Sequence, residues 1–174
     1  MHGLEVIHAR RIPSHGGSIR VYAARTGARP VLDSVGKMLA EEAARGPMLE
    51  QLADFKRKTV LSKVDLHAIL AKIKHAGERV VGVSAPSRAS TLATYVGLDD
   101  GLLEYVAEIK GSKKIGRNLP GTLVPVIEES RIFEDQPEYL LLLSWHIADE
   151  LMPKLRAKGF AGKFIVPLPT PTIL

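Results

Sequence analysis

Between Ser84 and Thr91 the chain reads "SAPSRAST". Ser84, Ser87, Ser90 and Thr91 offer hydroxyls, and Arg88 offers a fixed positive charge with a fork that matches two phosphate oxygens. Small residues between them let a ligand approach the backbone. The stretch lacks the full G-x-G-x-x-G pattern, so the residues alone leave two readings open. It is either a phosphate-binding corner or a strand-to-helix corner capped by Ser or Thr. Glu108 lies 21 residues after Ser87, and an acid roughly 20 residues past such a loop often holds a ribose hydroxyl. The cations that follow it, Lys113, Lys114 and Arg117, read on their own as a solvated charge run. Ser144 and His146, in "SWH", could line a crevice, or His146 could simply start a helix. His15, in "PSHGG", sits where paired glycines permit either a close ligand approach or only a turn. His2, His8 and His15 lack metal-ligand spacing, and no metal site is assigned.

These residues need elements to position them. "LEVIHARRI" and "SIRVYAAR" read as a β-hairpin turning at Gly16 and Gly17. From residue 31 to 75 the pattern is helical, broken at Gly46-Pro47. Leu49, Leu52, Phe55, Lys56, Val60, Val64, Leu66, Ile69, Leu70 and Ile73 predict a mostly apolar stripe along the longer helix. His67 and His75 fall on its surface. After Gly77 the rhythm changes. "RVVGVS", "LLEYVAEI", a short extended end at "LVPV", "EYLLLLSW" and "GKFIVPLP" read as strands, and helices fall between them, including "HIADELMPKLRAKG" with Pro153 inside. The expected class is α/β: a Rossmann-like small parallel sheet with flanking helices, preceded by a β-hairpin and two helices. The expected divisions are 1–28 for the hairpin, 29–77 for a helical connector and 78–174 for the Rossmann-like domain. In open parallel sheets ligands bind outside the carboxyl ends of the strands, where the loops carrying Ser84–Thr91, Glu108 and Ser144–His146 all lead.

Composition bounds the function further. The chain has 174 residues, 45% hydrophobic and 25% charged, as expected of an ordinary globular chain with one core and a small appendage. It contains no cysteine, which excludes disulfides, zinc–thiolate sites and thiol catalysis. The net charge of +5 fits either a mildly basic surface or an anionic small ligand. Nucleic acid is not expected as a partner, because no aromatic residues interleave with the basic clusters. No apolar run of about 18 residues is present, so no membrane span is expected and localisation defaults to the cytoplasm.

"IPSHGGSIRVYAAR", "GVSAPSRASTL", "KIGRNLPGTLVPV", "YLLLLSWHIADEL" and "GKFIVPLP" occur in this order. Together they resemble the C-terminal region of the SAM-dependent sugar C-methyltransferases, which act on nucleotide-linked deoxysugars. The resemblance implies a Rossmann-like domain that holds the nucleotide sugar. SAM and zinc are expected in upstream domains, and no cofactor is expected in this chain. A Tyr-x-Glu-His motif supplies catalytic groups in the family, and the chain is expected to start after it. Residues 4–25 would then be the final hairpin of a methyltransferase sheet, and the upstream methyltransferase domain would be a partner. The implied roles are pyrophosphate capture by Ser84–Thr91 with Arg88, sugar or ribose contacts from Glu108, and a crevice lined by Ser144 and His146. His15 would face the sugar across the domain junction. The family loop reads close to G-x-G-A-x-x-K-G-x-T. Here Ser84 replaces the second glycine, Arg88 the lysine and Ala89 the last glycine. Two rival readings stand beside this one. One is a stand-alone Rossmann-like interaction module. The other is a self-sufficient enzyme using His146 with Asp149 or Glu150.

Overall fold

The computed structural model describes residues 2–174, which divide into two compact units, Met1–Arg57 and Lys58–Leu174. In the first, β1 (Leu4–Ile12) and β2 (Ser18–Arg25) form an antiparallel hairpin. A short 3-10 turn, Ser14–Gly16, joins them, and Gly16 and Gly17 both take positive φ as the turn requires. Helix α1 (Asp33–Ala43) packs on β1. His8 Nδ1 lies 2.6 Å from Ser34 Oγ, Arg11 pairs with Glu41 at 3.0 Å, and the Leu32 amide donates to the Ile7 carbonyl at 2.9 Å. Ala9 is the only buried residue among those described in this unit. Leu4, Val6, Ile19, Val21 and Tyr22 remain exposed. A two-stranded sheet has too little apolar surface to cover both of its faces.

Helix α2 (Met48–His75) runs through the boundary between the units. The stripe expected along its length is buried only in its last turns, at Leu66, Leu70 and Ile73. Leu49 is 81% exposed, Phe55 67% and Leu52 53%, so the first half of the stripe is uncovered. Periodicity reports an apolar face but not whether a surface exists to cover it. His67 is half-buried, not on the open surface, and hydrogen-bonds the Val96 carbonyl.

The second unit holds a six-stranded sheet of order β5-β4-β3-β6-β7-β8. Its strands are β3 (Val80–Val83), β4 (Val106–Glu108), β5 (Val126–Glu128), β6 (Tyr139–Leu142), β7 (Lys163–Val166) and β8 (Thr172–Ile173). The first five are parallel, and β8 is antiparallel to β7. The helices are α3 (Ser87–Val96), α4 (Ser130–Asp135) and α5 (Ala148–Ala157). The α/β class and mostly parallel sheet expected from the sequence are present. The antiparallel edge strand was not anticipated. The second strand, Val106–Glu108, is shorter than expected; at the start of the expected stretch, the Leu102 amide donates to Asp99 in a turn.

The strands alternate their side chains between two cores. Val80, Val106, Leu141 and Leu143 face Leu66, Leu70, Ile73, Leu92 and Val96. Val81, Val83, Leu140 and Leu142 face Ile132, Leu155, Phe160 and Phe164. This two-sided burial explains the continuously apolar "YLLL". The backbone passes very close to its neighbours at Gly82, where an added Cβ would lie 2.9 Å from Val106 Cγ2 and 3.1 Å from Leu143 Cδ1. On the α4 side, Arg79 pairs with Glu104 at 2.7 Å, and Tyr105 OH and Arg131 Nε donate to Asp135 Oδ2 at 3.1 and 3.0 Å.

Candidate functional site

The strand order reverses direction between β3 and β6, so the loops after these two strands diverge and leave a crevice at the carboxyl edge. The β3–β4 ladder ends with the Ser84 amide donating to the Ala107 carbonyl at 2.8 Å. Ser84 then takes φ 67°, a left-handed conformation that favours glycine, and the chain turns out of the sheet. Pro86 caps α3 in extended conformation without any side-chain capping bond. The capping role considered for Ser or Thr is therefore not filled by a side chain. Ser90 Oγ instead donates to the Ser87 carbonyl at 2.7 Å.

A cleft of about 520 Å³ opens beside this corner, lined by Ala85–Ser87, Ser90, Lys114, Arg117, Asn118, Pro120 and Val126. Its cationic wall is the loop after β4. That loop folds back on β5: the Gly116 amide donates to Val126 O at 2.9 Å, the Val126 amide to Arg117 O at 2.7 Å, and the Leu119 amide to Val124 O at 2.8 Å. These bonds fix the backbone of Arg117 and Asn118 at the rim. Lys114 and Arg117 line one wall of this cleft, and both remain exposed to solvent, as the charge run alone suggested. Asn118 and Pro120 carried no signal of their own. The placement of Lys114 and Arg117 follows from the run's position directly after the carboxyl end of β4.

Glu108 closes the arrangement from below. It is buried at the end of β4, and its Oε1 accepts from the Ala85 amide at 2.7 Å and from Lys114 Nζ at 3.1 Å. It is not among the residues lining the cleft. Arg88 is half-buried, with its guanidinium 5.8 Å from the Trp145 ring centroid, a cation–π distance. Neither it nor the exposed Thr91 lines this cleft.

A second cleft of about 420 Å³ lies beside the loop after β6 and includes Trp145, His146, Asp149, Met152, Leu168 and Thr170. Ser144 is buried beneath it and opens the 3-10 turn Trp145–Ile147, accepting the Ile147 amide at 3.0 Å. The expected residues therefore separate. Ser87 and Ser90 line the first cleft, His146 the second, and Ser84, Arg88, Glu108 and Ser144 support the ground around and between them. His15 belongs to the other unit, at the exposed hairpin tip, and lines neither cleft.

Among the described residues no group of three His, Asp or Glu could hold a metal ion, and no helix is long and apolar enough to cross a membrane. The strand order and the clefts define a doubly wound α/β domain of the kind that receives ligands at the carboxyl edge of its sheet. Residues 13–169 match the family described as the C-methyltransferase C-terminal domain, and the chain belongs to that family. It is 32% identical, over 178 aligned residues, to the C-methyltransferase NovU of Streptomyces niveus. That alignment covers 99% of this chain and 42% of NovU, so the chain spans less than half the length of this curated relative.

Proposed function

We propose that the second unit binds the nucleotide part of a nucleotide-linked deoxysugar for a SAM-dependent C-methyltransferase. One observation carries this reading: a cleft at the carboxyl edge of a doubly wound sheet, with Lys114, Arg117, Asn118, Ser87 and Ser90 around its rim. Two cations converging on a cleft favour a diphosphate. They disfavour SAM, whose sulfonium carries positive charge, so the methyl donor is not assigned to this cleft. The acid–base groups and SAM would come from a methyltransferase domain. The exposed apolar hairpin residues Leu4, Val6, Ile19, Val21 and Tyr22 offer a surface for such a partner. SAM would supply the methyl group in such an enzyme, and the residues of this cleft would hold the nucleotide part of the methyl acceptor.

The test is a melting curve with thymidine diphosphate, thymidine and SAM in parallel. A ligand at about 100 times its Kd stabilises by roughly 2.7 kcal/mol. Stabilisation by the diphosphate and none by SAM is expected. No response to thymidine diphosphate or other nucleoside diphosphates would remove the reading.

A further inference from the structure

We infer that Glu108 is the positioning residue of this cleft, holding both walls through one carboxylate oxygen and placing the Lys114 ammonium for a nucleoside diphosphate. The inference rests on the ligand reading above and adds a residue that acts through others. At the left-handed Ser84 the chain leaves the sheet, and the next amide, that of Ala85, has no strand to pair with. Ala85 is only 7% exposed, and a buried amide needs an acceptor. Glu108 Oε1 supplies it at 2.7 Å. This bond fixes the bend that delivers Pro86, Ser87 and Ser90 to one wall.

The same oxygen lies 3.1 Å from Lys114 Nζ on the facing wall. The Glu108 side chain is 10% exposed and that of Lys114 50%, so the carboxylate is the fixed end and the lysine the constrained end. A half-exposed ion pair adds little to stability. Its effect is to restrict a long side chain that would otherwise lose its rotamer freedom when a ligand binds. Glu108 therefore occupies the position of a ribose-binding acid, but its engaged oxygen serves the protein's own amide and ammonium.

The experiment uses the full chain as wild type, Glu108→Gln, Glu108→Ala, Lys114→Ala and the Glu108→Ala/Lys114→Ala double variant. Exchange of the Ala85 amide is followed by NMR and thymidine diphosphate affinity by calorimetry. The Ala85 amide should be protected in the wild type and in Glu108→Gln, whose amide oxygen still accepts, and should exchange at least tenfold faster in Glu108→Ala. Each single alanine variant should weaken the diphosphate about tenfold, and the double variant should be within about twofold of the weaker single, because both remove one coupled unit. Glu108→Gln folds with the Ala85 bond kept, and should still weaken the diphosphate by loosening Lys114. Independent effects that multiply to about a hundredfold would overturn the inference. So would tighter binding by either Glu108 variant, since the carboxylate would then compete with the ligand. A freely exchanging Ala85 amide in the wild type overturns it without any ligand. A protected amide with no nucleoside-diphosphate binding would remove the ligand reading of the cleft and leave the tether between its walls standing.

Discussion

Replacing Arg117 with alanine tests the cationic wall most directly. The side chain is exposed at the rim, while its backbone is held by the bond from the Val126 amide to its carbonyl and by its own amide donating to Lys114 O at 3.1 Å. Those bonds survive truncation to alanine, so the loop keeps its course. What is lost is the guanidinium of a residue that lines a cleft of about 520 Å³. A hydrogen bond to a charged group contributes about 1.5–3 kcal/mol. That is a weakening of about ten- to 150-fold in Kd. Stability should stay within about 0.5 kcal/mol of the wild type, as for a surface change away from the core. Calorimetry with thymidine, its monophosphate and its diphosphate makes the assay specific. The loss should grow with phosphate charge and vanish for the nucleoside. It should also shrink in salt, because the Debye length falls from about 8 Å near physiological ionic strength to about 3 Å at 1 M. The reasoning is refuted if the diphosphate binds Arg117→Ala within twofold of wild type, or if thymidine loses as much as the diphosphate.

Three other outcomes follow from the geometry. Burial alone would raise the Asp135 pKa, but hydrogen bonds from Arg131 and Tyr105, with Arg79 nearby, outweigh it and hold the carboxyl below its ordinary value. Its contribution is present above the unfolded value of about 3.9 and is lost as pH falls through the depressed folded value. In urea melts taken at decreasing pH, the stability difference between wild type and Asp135→Asn should therefore shrink in acid; a constant difference would contradict the linkage. Gly162→Ala places a Cβ 2.6 Å from the Glu138 and Pro137 carbonyl oxygens and from Phe160 Cζ. Chemical denaturation should show a loss of about 3 kcal/mol, the upper end for overpacking, because backbone cannot yield cheaply. A loss below about 1 kcal/mol would show that the β6–β7 region adapts. Ser84→Gly should stabilise by about 0.5–1 kcal/mol, since relief of a left-handed residue exceeds the added entropy of the unfolded chain. A lower melting temperature would mean that the serine side chain holds the bend.

Much of the second unit is legible because its strands are buried on both faces. "VVGV" and "YLLL" need no alternation, and helical rhythm between them leaves few topologies. The edge strand Thr172–Ile173 is too short to carry a period. That the first half of α2 is uncovered is not legible, because Leu49, Leu52 and Phe55 keep a helical spacing whether or not a partner covers them. The cleft was half legible. Ser87 and Ser90 follow from a strand-loop-helix corner, but Lys114 and Arg117 join them only because the Gly116–Val126 bonds fold the intervening loop back. The orientation of Glu108 depends on the bend at Ser84, a backbone torsion that residue type does not announce.

The close packing at Gly82 has a consequence for how this domain can vary. A methyl group added at position 82 meets Val106 Cγ2 before anything else, so residues on two neighbouring strands share one allotment of volume. In a randomised library, alanine at 82 should be recovered mainly alongside a smaller residue at 106. Positions 82 and 106 would then be inherited as one unit, and scanning either alone would label as intolerant a place that tolerates exchange in pairs.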